Sequence, residues 1–284
     1  MKKESDNVNA GSMKCRICGA GPTIRSHLIP EAFVKEIFFS PKADEKHMLV
    51  HNDKDFKAQS NTGRFERDLL CAECDGVLGT YEGRALSLLK KLRHIAVGTK
   101  SGTQSFIKEG AYPFRVEQAD DFVRFACGIL WKYASTPRDS PSAIDVDRYY
   151  DTLESICFHR GAIPETVDVF LERDLLSVAA FDDPNGVFYY TTPSVDLLAG
   201  QRMAWFSVGG FIVYIKLDDG GISAFAPSKC WMRGRKKCHF NVDVRSLETN
   251  MGIFDSIETA REDLARLNKK LGLPSRTRAP YSNP

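Results

Sequence analysis

Two short cysteine pairs constrain this chain more than anything else in it. Cys15-Arg-Ile-Cys18-Gly19 stands near one end, and Leu70-Cys71-Ala-Glu-Cys74-Asp75 follows after a long interval. Each C-x-x-C turn aims two thiolates at one point, and two such turns complete a closed tetrahedral zinc site. The interval exceeds the usual zinc-ribbon spacing, so residues 41–68, charged and weakly periodic, are expected to loop out as an insertion between the knuckles. Composition decides between metal and disulfide. With 43% hydrophobic and 27% charged residues the chain reads as a soluble globular protein. No stretch approaches the roughly 18 apolar residues that span a bilayer, and the polar opening Met1-Lys-Lys-Glu-Ser-Asp-Asn carries no apolar signal region. A cytoplasmic location is expected, where paired cysteines bind metal rather than each other.

The rest of the chain divides by its periodicity. Residues 1–13 form a polar leader, expected to be disordered, and 14–98 form the cysteine-bearing unit. Within that unit Phe33, Val34, Ile37 and Phe38 fit one helical face. A second helix is expected from Asp75, with Leu78, Ala85, Leu86, Leu89, Leu92 and Ile95 inward, Arg84, Lys90, Lys91 and Arg93 on the wet face, and Gly98 at its end. Residues 99–111 connect to a larger region, 112–273. This begins with a strongly apolar helix from Phe122 to Tyr133 and another from Val146 to Phe158. The period then becomes two, in Val167–Leu171, Val178–Phe181, Val187–Tyr190 and Phe206–Leu217. Turns at Asp183-Pro-Asn-Gly and Asp218-Asp-Gly-Gly make the strands antiparallel. An amphipathic helix over Ile253–Leu271 closes the region, and 274–284 form a flexible basic tail. The net charge of +2 is small, but residues 1–110 are net positive and the remainder net negative, a tilt that favours a phosphate-bearing partner for the first half.

Between the cysteine pairs lies Arg25-Ser26-His27-Leu28-Ile29-Pro30. A C-x-x-C pair, then S-H-x-I-P, then a second pair followed at once by a short polar residue, resembles the HNH endonuclease group over about residues 14–95. The resemblance implies a treble clef with a ββα-metal core, a structural zinc on Cys15, Cys18, Cys71 and Cys74, and a separate catalytic Mg²⁺ or Mn²⁺. It implies His27 as general base and Asp75 as a ligand of the catalytic ion. Ser26 departs from the group, which usually places an acidic or histidine ligand there, and a hard cation prefers carboxylate oxygen. Glu82, two helical turns beyond Asp75, is a further candidate, either as a ligand or to hold the His27 tautomer. Arg25 and Arg64 are candidate phosphate clamps.

Plainer roles compete at each position. His27 can pack on the knuckle or ligate the zinc, Asp75 can cap a helix, and Glu82 can be a solvated helix residue. Cys230 and Cys238-His239 match no tight knuckle and read as ordinary thiols, as does Cys127 in its apolar helix. The basic run Trp231-Met-Arg-Gly-Arg-Lys-Lys reads equally as a phosphate contact or a solvated turn. The expectation is thus an α+β chain: an HNH-like zinc-bound treble clef, then a mixed domain of helices and antiparallel sheet. Its expected activity is metal-dependent cleavage of DNA, in phage defence or a mobile element by implication of the resemblance. The alternative is a non-catalytic zinc-stabilised module that binds nucleic acid or protein.

Overall fold

The computed structural model describes residues 14–38, 48–50, 57–59, 63–95, 97–99, 105–107, 109–175, 187, 189–220 and 225–243. The leader 1–13, the Val178–Phe181 strand, the Asp183 turn, the Ile253–Leu271 helix and the 274–284 tail lie outside them. The first short strand, β1 (Ser26–His27), precedes helix α1 (Glu31–Phe38). Then come β2 (Met48–Val50), β3 (Lys57–Gln59) and β4 (Phe65–Glu66) before the long helix α2 (Ala72–Leu92). β1 and β4 pair antiparallel, Ser26 opposite Glu66 and His27 opposite Phe65, so a two-stranded ribbon leads into α2.

The described parts of the 41–68 stretch, expected to loop out, pair with other strands. β2 and β3 form an antiparallel pair, and β2 also pairs in parallel with β9 (Tyr189–Thr191), far along the chain. Local periodicity cannot report such a partner, because the bonds that stabilise it come from a distant segment. α2 buries Cys74, Leu78, Tyr81, Ala85, Leu89 and Leu92, one stripe at helical spacing. It stops at Leu92 rather than at Gly98, with the Arg93 N–H bonded to the Leu89 carbonyl. Gly98 lies instead in β5 (Val97–Thr99), paired with β6 (Ser105–Ile107). Arg93 is also not on the wet face: it is buried and bonds Glu36 of α1 at 2.8 Å.

The later region is built on a six-stranded sheet ordered β10-β11-β12-β8-β13-β7. Its strands are β7 (Gly110–Arg115), β8 (Val167–Arg173), β10 (Ser194–Leu198), β11 (Gln201–Val208), β12 (Phe211–Leu217) and β13 (Lys237–Val242). The expected single run Phe206–Leu217 is two strands. Gly209 and Gly210, with φ of 59° and 80°, make the two-residue hairpin that joins β11 to β12. The sheet is mixed rather than purely antiparallel, because β13 returns between β7 and β8 and meets β8 in parallel at Asn241 opposite Glu172.

Both faces of this sheet are covered. Val169, Leu171, Val213, Ile215, Ala204 and Phe206 face the main core. The alternate residues Phe170, Met203 and Tyr214 meet Trp231, Cys230 and Phe225 on the other side. Helix α3 (Ala119–Ala134) is buried almost all round, as the apolar run of Phe122–Tyr133 demands. It packs on α4 (Tyr150–Phe158), where Trp131 meets Phe158 edge-on at 4.8 Å. It also packs on α2 at Gly128, where a Cβ would lie 3.1 Å from Leu78. Phe33 of α1 stacks on Phe125 of α3 at 5.3 Å. One contiguous core therefore runs from Cys15 to Val242 and crosses the expected 99–111 connector. Among the described residues no helix is long and apolar enough to cross a membrane.

Candidate metal centre and adjoining site

The first knuckle is a tight turn. Cys15 N–H donates to the Ala20 carbonyl at 2.7 Å, and Gly19 N–H returns to the Cys15 carbonyl at 2.9 Å. Gly19 takes φ of 70° to do so, the left-handed region in which a side chain is disfavoured. The second knuckle is the start of α2: Cys71 is its N-cap, in extended conformation and with no side-chain cap bond, and Cys74 lies one turn in. Backbone bonds from Arg16 N–H to the Leu69 carbonyl (2.9 Å) and from Ile24 N–H to the Leu70 carbonyl (2.8 Å) clasp the two together.

The result is that the Sγ atoms of Cys15, Cys18, Cys71 and Cys74 all lie within 4.8 Å of one another, with Cys18 and Cys71 at 3.6 Å. All four are free thiols; Cys15, Cys71 and Cys74 are buried and Cys18 is exposed. Tetrahedral zinc with Zn–S bonds of about 2.3 Å requires sulfur–sulfur edges of about 3.8 Å, so the four thiols fit such an ion with little movement. Burial works to raise the Cys15 thiol, but backbone N–H groups of Cys18, Cys71 and Ile17 outweigh it and bring it to about 6. Burial, joined by the neighbouring thiols, raises Cys74. One of the four thus surrenders its proton easily, which favours entry of a cation that displaces the rest. The remaining cysteines are buried elsewhere, and burial pushes Cys127 up to about 12 and Cys238 up to about 11. Among the described residues only the four-thiol cluster brings three or more metal-ligating side chains together; His27 is outside it.

β1 carries the neighbouring polar site. Ser26 is fully buried, and its hydroxyl donates to Asp75 Oδ1 at 2.6 Å. Asp75, one residue past the last cysteine, is thereby fixed at the head of α2. The His27 ring is half-buried and tilted against Phe65 with centroids 6.1 Å apart. Its Nε2 is enclosed, with no hydrogen-bond partner among the described residues. Burial lowers its pKa, with Arg25 and Lys132 adding to the effect and Glu31 and Asp75 opposing it. The shift favours the neutral imidazole.

The other expected residues are placed differently from one another. Glu82 accepts from Lys132 Nζ at 2.7 Å, and that ammonium also donates to the His27 carbonyl at 2.9 Å. Glu82 thus reaches His27 through its backbone and a lysine, where a direct bond to the ring was expected as one option. The exposed Arg25 places its guanidinium 3.5 Å from the centre of the Phe65 ring, and Arg67 approaches the same ring at 5.9 Å. Arg64 turns toward the later region and donates to the Ser142 hydroxyl. Sequence reasoning missed Lys132 and Phe65. A lysine inside the apolar run Ala126–Tyr133 was the available signal for the first. Comparison with protein-family models, with curated proteins and with solved structures finds no match. Fold and site define a mixed α+β protein with a cluster of four cysteines near its N-terminal end that could hold a metal ion such as zinc.

Proposed function

We propose that this chain is a zinc-stabilised, HNH-like nuclease that hydrolyses DNA phosphodiester bonds with a second divalent ion. One observation carries the reading: the Ser26–His27 strand is bonded to Asp75 at the helix start that also supplies two of the four clustered thiols. In this reading β1, β4 and α2 are the ββα unit of a treble clef, and the zinc fixes the strand–helix geometry. His27, whose neutral form burial favours, takes the proton from a water that attacks phosphorus in line with the departing oxygen. Asp75 is the protein carboxylate that would hold Mg²⁺ or Mn²⁺, a hard cation that prefers oxygen ligands. That ion, when bound, stabilises the leaving oxygen. Arg25 on its Phe65 platform offers a phosphate contact beside the base. Phage defence or a mobile element is the setting this reading suggests.

A second reading is a zinc-stabilised module that binds nucleic acid or protein without cutting. The residue type at Ser26 favours it, because the resemblance implies an acidic or histidine ligand there and a neutral hydroxyl holds a hard cation poorly. Incubating zinc-loaded protein with supercoiled plasmid separates the two. Nicking that requires added Mg²⁺ or Mn²⁺ supports the nuclease; retarded but intact plasmid under every condition supports the binding module.

A further inference from the structure

Lys132 is the one charged side chain set deep inside α3, with only 3% of it exposed. Burying an ammonium is costly unless acceptors are already in place, and they act only in fixed directions. Two acceptors are present. Glu82 Oε1 approaches from α2 at 2.7 Å and the His27 carbonyl from β1 at 2.9 Å. The lysine therefore ties together the two elements whose relative position decides whether His27 and Asp75 face one substrate.

The Ser26 hydroxyl already bonds β1 to Asp75 of α2 at 2.6 Å, and Lys132 adds a second tie through the β1 backbone. β1 is a two-residue strand, and among the described residues its ladder with β4 is extended by the Leu28 N–H bond to the Arg64 carbonyl at 2.9 Å. Strands this short have little stability of their own. Beside β4, Arg64, just before it, donates to Ser142 in the segment after α3. Both strands of the ribbon are thus anchored to residues beyond 112.

We infer that Lys132 is the positioning residue of the His27 site, its ammonium held by Glu82 of α2 and setting the β1 backbone that carries the imidazole relative to the helix that carries Asp75. The region after residue 112 is then a structural part of the site and not only an appended module. The activity arm of this inference rests on the nuclease reading; the backbone arm does not.

The test uses the full zinc-loaded chain carrying Lys132→Met or Lys132→Arg. In single-turnover plasmid cleavage, Lys132→Met should lower the rate constant about 100-fold, the scale of a 1 Å misplacement. Plasmid affinity and zinc content should stay at wild-type values, and Lys132→Arg, which keeps the donors, should recover at least about tenfold of the loss. By hydrogen exchange the Leu28 amide should open at least about tenfold faster in Lys132→Met, while amides of β8 and β12 stay unchanged. If the wild type does not cut, the nuclease reading fails and the Leu28 amide alone decides the positioning role. Should Lys132→Met not fold, Glu82→Gln replaces it, with a smaller loss and a faster Leu28 amide expected. Wild-type cleavage and Leu28 exchange in the tested variant would overturn the inference. So would a loss that Arg does not recover and that accelerates exchange throughout the sheet.

Discussion

Replacing Cys71 by serine pits two effects against each other, and the structure fixes which one wins in each state. Cys71 is both a member of the thiol cluster and the N-cap of α2, where its side chain makes no cap bond. Serine is among the better N-cap residues, worth about 1 kcal/mol over a residue that cannot cap. Against that, structural zinc sites contribute about 10–16 kcal/mol of apparent binding free energy, shared among four ligands. Losing one thiolate should therefore cost several kcal/mol whenever zinc is present. The signs then invert with metal. Zinc-loaded Cys71→Ser should melt well below the zinc-loaded wild type, while the zinc-stripped variant should melt no lower than the stripped wild type. Elemental analysis should find one zinc per wild-type chain, and a competitive chelator should strip the variant at a concentration at least about 100-fold lower. Thermal denaturation with and without zinc reads both halves. A wild type whose melting ignores zinc, or a variant that binds it as tightly, would refute the reasoning.

Burial holds the His27 pKa below its ordinary 6.5, so cleavage should stay level from pH 8 downward and fall only in more acid solution; a His27-dependent midpoint above 6.5 contradicts the burial argument. The same shift makes protonation favour the unfolded chain. Its contribution is therefore lost stability as pH drops from 6.5 through the lower folded value, and His27→Gln should remove that contribution from the pH–melting curve. Gly128 sits where a Cβ already meets Leu78 at 3.1 Å; Gly128→Val should cost about 1–3 kcal/mol by overpacking the α2–α3 contact, and unchanged melting would argue against that packing. Gly79 lies on the open side of α2 with nothing within 4 Å of an added Cβ, so Gly79→Ala should stabilise by about 0.5–1 kcal/mol. A destabilised Gly79→Ala protein would mean that α2 is packed differently there.

What could be read from the sequence was what the chain does locally. The knuckles were legible because a C-x-x-C turn needs only four consecutive residues to aim its thiols. The α2 stripe was legible because Leu78, Ala85, Leu89 and Leu92 repeat at the helical period. The Gly209-Gly210 hairpin carried a recognised turn signal and was passed over because the strands on either side share one apolar alternation. What could not be read depends on distant partners. β2 finds β9 in parallel across the chain. Arg93 looks solvated by composition yet is buried, bonded to the partly exposed Glu36. Lys132 has a role only because Glu82 and the His27 carbonyl arrive from elsewhere. The bond from Ser26 to Asp75 belongs to the same class: the sequence places Asp75 beside Cys74 but Ser26 well beyond Cys18, and the clasped knuckles bring them to 2.6 Å.

The account turns on His27 as a base beside Asp75, and one measurement addresses it most directly. Single-turnover cleavage of labelled DNA by zinc-loaded wild type and His27→Ala should be compared at saturating Mn²⁺, with zinc content and DNA affinity measured on the same samples. The account predicts a rate lower by about 10²–10⁴ in the variant, the usual worth of general base catalysis, with zinc content and affinity unchanged. Equal cleavage by the two proteins would contradict it.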